Sequence, residues 1–252
     1  MQPDVVQILL TLNAEFYQTF GGAFAATRQR VQPGVRRVVD ALPVQGDWLD
    51  LGCGSGSLAA AWAARPGRHG SYTGVDISLA LLQEAEKAVV GSRQPGVEIH
   101  FHHIDLAAQD WVQELGDQEY DIGVAFAVLH HLPGFRLRRR LLQDVHGLLK
   151  AGGIFYHSVW QFQHSARLME RRLPWSTVHL SPEQVEQGDA LLDWRYALPG
   201  QVEQVGYRYV HLFTHEELHT LAEECGFAIE ETFESDGEGG RLGLYQCWRR
   251  LG

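Results

Sequence analysis

The chain predicts an α/β fold: a doubly wound, mostly parallel seven-stranded sheet that closes with a C-terminal antiparallel hairpin. Three observations carry this. The apolar pair Trp48-Leu49 runs straight into the glycine-rich turn Asp50-Leu51-Gly52-Cys53-Gly54-Ser55-Gly56. Four more apolar runs follow, separated by segments of helical spacing, and two of them end in an acid. The last two apolar runs, 227–234 and 242–248, flank the loop Asp236 to Arg241 as a hairpin, with no room for a crossover helix.

Residues 1–43 read as a helical cap. Val5, Ile8, Leu9, Leu12, Phe16 and Phe20 recur at helical spacing over 5–20, and Pro33-Gly34 opens a second helix over 35–42. Residues 44–160 form the nucleotide-binding core. After the glycine turn comes a helix over 57–64. A second strand, 72–76, ends in Asp76, and Ser78 caps a helix over 79–89. The third strand, 97–104, ends at Asp105, and the fourth, 120–128, ends in Leu129-His130-His131-Leu132. Leu137, Leu141, Leu142, Val145, Leu148 and Leu149 stripe the next helix, and Ala151-Gly152-Gly153 turns into a fifth strand over 154–159.

The alternation then breaks. Residues 161–206 hold Pro174, Pro182 and Pro199 without a regular pattern, so they read as an insertion lying over the active site. Residues 207–252 complete the same domain: a capping box at Thr214 starts a helix ending near Cys225, with Gly226 at its C-cap, and the hairpin follows.

With 252 residues and 45% apolar content, one large core is expected. No apolar run approaches eighteen residues, the N-terminus lacks a signal-type pattern, and three scattered cysteines suit a reducing cytoplasm. Neither a disulfide framework nor a metal site is expected, since His100, His102 and His103 find no partner at ligand spacing. The net charge of −10 is concentrated in the C-terminal third, where residues 158–252 sum to −7. That argues against broad nucleic-acid affinity but leaves room for a local basic strip at Arg136, Arg138, Arg139 and Arg140.

The glycine turn brings bare main chain against a ligand, and the helix behind it aims N–H groups at the same place. Gly52, Gly54 and Gly56 give G-x-G-x-G, not the dinucleotide pattern G-x-G-x-x-G, and Asp50 offers a carboxylate to an ammonium group. This set of acids and glycines resembles motif I and the following strand ends of the class I S-adenosylmethionine-dependent methyltransferases. The resemblance implies S-adenosylmethionine as cofactor and S-adenosylhomocysteine as product. It implies contacts from Asp50, Gly52, Cys53, Gly54 and Gly56, from Asp76 and Ile77 at the ribose, from Asp105 and Leu106 at the adenine, and from Ala125.

A narrower likeness lies in Ala127 to His131, Arg139-Arg140, Val159-Trp160, Gly188-Asp189, Trp194-Arg195 and Arg208 to Phe213, together with Asn13, Phe16-Tyr17, Phe24 and Thr27-Arg28 of the cap. These look like the enzymes that form the methyl ester of 5-carboxymethyluridine at the tRNA wobble position. Asp193 and the Arg241-Leu242-Gly243 segment depart from that pattern. This likeness implies tRNA as a partner and a small zinc-binding activator subunit. It makes Tyr17, Arg28, Trp160, Trp194, Arg195, Arg208 and His211 the acceptor residues, because cations pair with carboxylate and phosphate. His130 and His131 are the base candidates, with Arg28 and Arg195 as positioning groups. Two other functions fit the same chain: a methyltransferase for a small O- or N-acceptor, with Trp160, Trp175, Trp194 and Tyr196 walling an apolar pocket, and a silent cofactor-binding scaffold that activates a partner.

Overall fold

The structure is a computed structural model that describes residues 1–27, 30–92, 95–196 and 203–252. Chain order is α1 (Pro3–Thr27), α2 (Pro33–Ala41), β1 (Trp48–Leu51), α3 (Ser57–Ala63), β2 (Gly70–Asp76), α4 (Leu79–Val89), β3 (Val97–His103), β4 (Tyr120–Phe126), α5 (Phe135–Leu148), β5 (Leu149–Trp160), α6 (Ala166–Met169), β6 (Arg172–Leu173), β7 (Asp189–Tyr196), β8 (Gln204–His211), α7 (His215–Glu224), β9 (Phe227–Ser235) and β10 (Gly243–Arg250).

Seven strands form one sheet in the order β3-β2-β1-β4-β5-β10-β9. β1 runs parallel to both β2 and β4, and β10 is antiparallel to β5 and β9. The expected fold is therefore present. The chain steps outward from β1 to β3, then returns to β4 on the other side of β1. In such sheets the crevice at this reversal, beyond the strands' C-terminal ends, is where ligands bind.

Both faces of the sheet are covered. Val38, Leu58, Trp62 and Val89 from α2, α3 and α4 bury one face with Trp48 and Tyr72. Leu141, Val145, Leu218 and Leu221 from α5 and α7 bury the other with Leu49, Phe155 and Trp248. α1 is longer than its sequence pattern indicated. Its inward stripe is Val5, Leu9, Asn13, Phe16 and Phe20, while Ile8 stays 42% exposed.

The insertion is more regular than its sequence suggested. β6, β7 and β8 form a second, antiparallel sheet, and β8 runs through residue 206, so the insertion and the segment after it share a strand. α1 crosses β8 at Gly206, where a Cβ would sit 2.5 Å from Phe20 and 2.7 Å from Phe16. Only a glycine admits that approach. The 197–202 segment, with Pro199, lies outside the described residues.

Candidate active site

The glycine loop leaves β1 with Gly52, Gly54 and Gly56 all at left-handed φ, from +56° to +74°. The Gly52 and Cys53 N–H groups donate to the Val75 carbonyl at 2.8 and 3.0 Å, pinning the loop to β2. A Cβ on Gly56 would strike the Ala85 backbone of α4 at 2.7 Å, whereas one on Gly54 would meet nothing within 4 Å. Gly56 thus seats the loop on α4, and Gly54 faces open space.

Three acids surround that space. Asp50 is buried and accepts the Tyr72 hydroxyl; burial pushes its carboxyl up to about 7, against the Tyr72 bond and with the help of Asp76's charge. Asp76 spends one oxygen on the Gly54 N–H (2.9 Å) and the other on the Ser78 N–H (2.8 Å), and burial raises its pKa. Each oxygen keeps one lone-pair direction for a ligand hydroxyl. Asp105 is exposed and caps its own turn through the Ala107 N–H.

Two cavities meet over the loop, sharing Gly52, Gly54, Leu81, Phe126, Ala127 and Trp160. One, about 210 Å³, holds Asp76, Ile77, Asp105 and Leu106 under Asn13, Tyr17 and His131. The other, about 500 Å³, holds Asp50, Cys53 and Ser158 beside Asp236 and Tyr245 of the terminal hairpin.

Of the cofactor residues expected from sequence, only Gly56 and Ala125 fall outside these linings. Phe126 and Ala127, one and two residues beyond Ala125, line both cavities instead. Tyr17, His131 and Trp160 also line a cavity. His130 lies behind them, fully buried and stacked on Trp160 at 4.8 Å, with its Nδ1 accepting the Trp160 N–H. His131 Nδ1 lies 3.1 Å from the Tyr209 carbonyl, so it carries the proton, and Nε2 accepts the Tyr17 hydroxyl at 2.9 Å.

Trp194, Arg195, Arg208 and His211 line neither cavity. Arg208 is a buried guanidinium between the Phe16 and Trp160 rings, at 4.9 and 5.2 Å, and burial lowers its pKa. Trp194 packs edge-on against Phe16 and stacks on Tyr196. Arg195 is exposed and paired with Asp193 (2.7 Å) and Glu203 (3.3 Å). His211 is held between Asp189 and Glu217 at 2.7 and 2.8 Å. Arg28 lies outside the described residues. Sequence reasoning missed Ser158, Asp236 and Tyr245. Asp236 alone carried a signal, as an acid opening a glycine-rich hairpin loop.

The methyltransferase domain family profile matches residues 24–232. The chain belongs to the methyltransferase family. Among curated relatives it is 26% identical over 215 residues to a putative methyltransferase of Encephalitozoon cuniculi, covering 85% of this chain and 86% of that one. A 28% identical stretch of 143 residues, 56% of this chain, matches only 3% of a hybrid PKS-NRPS synthetase from Emericella nidulans. By fold it resembles an S-adenosylmethionine-dependent methyltransferase from Clostridium acetobutylicum, at 14% identity with a TM-score of 0.66, covering 94% and 98% of the two chains. It also resembles the S-adenosylmethionine-bound amino pentose methyltransferase CalS10 from Micromonospora echinaspora, at 19% identity with a TM-score of 0.59, covering 93% and 97%. S-adenosylmethionine fits the residues of this methyltransferase: the space beside Gly54, a buried carboxylate at Asp50 for its ammonium, and the paired oxygens of Asp76 for ribose hydroxyls.

Proposed function

We propose that this methyltransferase transfers a methyl group from S-adenosylmethionine to a small acceptor held between the glycine loop, Trp160 and the β9–β10 loop. The larger cavity carries the reading: about 500 Å³, walled by Phe126, Trp160 and Tyr245, and opening on Asp50 and Ala127 where the donor side of the site begins. The bound donor supplies an already activated methyl on a sulfonium. The protein's task is alignment, which contributes about 7–11 kcal/mol when the reacting atoms are held close. Asp50 takes the ammonium, Asp76 the ribose, and Asp105 with Leu106 the adenine.

The arginine strip also favours a small acceptor. Arg138 pairs with Glu186 and Glu217 and Arg140 donates to the Leu106 and Ala107 carbonyls, so these two cations are engaged within the fold; Arg139 pairs with Glu224 at the surface, and Arg136 is exposed. A second reading, ester formation on carboxymethyluridine in tRNA with a zinc-binding partner, draws support from Arg208. That buried positive charge beside Trp160 would favour an anionic acceptor.

The test is labelled donor incubated with a panel of phenols, alcohols, amines and carboxylic acids. A parallel arm uses tRNA bearing carboxymethyluridine, with and without a zinc-binding partner. Label in a small product is expected. Label in tRNA alone would replace the first reading with the second, and none anywhere would sink both.

A further inference from the structure

Four neighbouring residues line one side of the larger cavity. The Ala127 N–H donates to Ser158 Oγ at 3.1 Å. Ser158 and Tyr245 are register partners across β5 and β10 and line the same cavity. The Tyr245 hydroxyl in turn donates to Asp236 Oδ2 at 2.5 Å, while Asp236 Oδ1 accepts the Gly34 N–H at 2.9 Å. The Tyr245 donor thus points toward Asp236, which is partly open to solvent.

The Ala127 backbone is strained: its φ is +58°, in a region that an alanine enters only when its surroundings force it, whereas Asp236, at φ +67°, is of a type that visits this region more readily. Ala127 lies where the two cavities join, and Asp236 forms the far wall of the larger one. The histidines expected as bases are engaged elsewhere: His131 with Tyr17 and the Tyr209 carbonyl, His130 with the Trp160 N–H.

We propose that Tyr245 and Asp236 form a proton relay serving a neutral hydroxyl acceptor in this cavity. The inference rests on the small-acceptor reading and narrows it to protic acceptors. As the acceptor oxygen bonds to the methyl carbon, its proton passes to Tyr245 Oη and the tyrosine proton to Asp236 Oδ2. The electron pair of the broken sulfur–carbon bond stays on sulfur, and Asp236 releases the proton to water.

Catechol is the probe, with Asp236→Asn and Tyr245→Phe as variants. Asparagine tolerates left-handed φ and can still accept the Gly34 N–H, and phenylalanine keeps the ring stacked on Phe233, so both should fold. Each variant is expected to lose about 100-fold or more in kcat, the scale of general-base catalysis. KM should be unchanged, as should calorimetric binding of S-adenosylhomocysteine and of catechol to that complex. The acid limb of the wild-type rate profile should vanish in Asp236→Asn. Wild-type kcat and pH profile in both variants would overturn the relay. So would transfer to carboxylic acids or tRNA with none to any phenol, alcohol or amine, and so would no transfer at all, which would sink the small-acceptor reading as well. A lower melting temperature with unchanged kcat would reduce the pair to a structural latch.

Discussion

Asp50 is a carboxylate whose burial is costly until a cation arrives. Its folded pKa of about 7 lies above the ordinary carboxylate value of 3.8, so the ligand-free protein loses stability as pH rises from about 4 to 7. A ligand ammonium beside the ionised carboxylate removes that cost. Affinity for S-adenosylhomocysteine should therefore fall about tenfold for each pH unit below 7, since one unit of pKa corresponds to a factor of ten. The melting-temperature rise on adding that ligand should be larger at pH 8 than at pH 6, and Asp50→Asn should abolish the difference. An equal rise at both pH values would mean that Asp50 does not meet the ammonium. This residue was legible because its signal is local: an acid, a strand end and glycines within seven positions. Ser158, Tyr245 and Asp236 were not. They come together only through the register of β10 on β5, which no short window of sequence contains.

At the scale of elements, the cap and the insertion are fastened by one side chain. Asn13 Nδ2 donates to the carbonyls of His131 (2.9 Å) and Tyr209 (3.2 Å), and its Oδ1 accepts the Tyr209 N–H (2.9 Å). α1, the end of β4 and β8 thereby share a single buried amide. Asn13→Ala leaves buried backbone groups without these partners and should cost about 2–4 kcal/mol, by the scale of such losses. Denaturant unfolding measures this, and a loss under 1 kcal/mol would show that the three elements hold without it. The helix, five parallel strands and hairpin were readable because apolar period and turn chemistry agree in each. The insertion was not, because β6 pairs with β7 across a long gap, Arg172 with Leu192, and its prolines interrupt the apolar alternation. A sequence likewise does not show that Arg195 and His211, both expected at the acceptor, have acidic partners of their own.

Across the whole molecule, two buried histidines titrate in opposite senses. His211 joins Asp189, Glu217, Glu186 and Arg138 in a network tying β7 and β8 to α5 and α7; burial opposes its charge, but the two carboxylates outweigh burial and raise its pKa. Its contribution is complete below the unfolded pKa of about 6.5 and is lost as pH rises through the higher folded value. The acids of this network are already engaged by Arg138, the Tyr209 hydroxyl and backbone N–H groups, which accounts for their clustering without a metal. His157 does the reverse. It is fully buried on β5 between Phe155 and Trp248, neither ring nitrogen has a hydrogen-bond partner among the described residues, and burial pushes its pKa down to about 3. Between pH 6.5 and 3 only the unfolded chain takes up that proton, so stability falls with pH by a few kcal/mol. This gain with rising pH opposes the loss from Asp50 over the same range, so comparison with a His157 variant isolates it. His157→Leu should remove the gain and raise stability at pH 7 by about 1–3 kcal/mol, because it removes buried polar atoms without partners among the described residues. Melting temperatures of the two proteins from pH 4 to 9 decide it: parallel acid limbs would mean that His157 is solvated or charged in the native state.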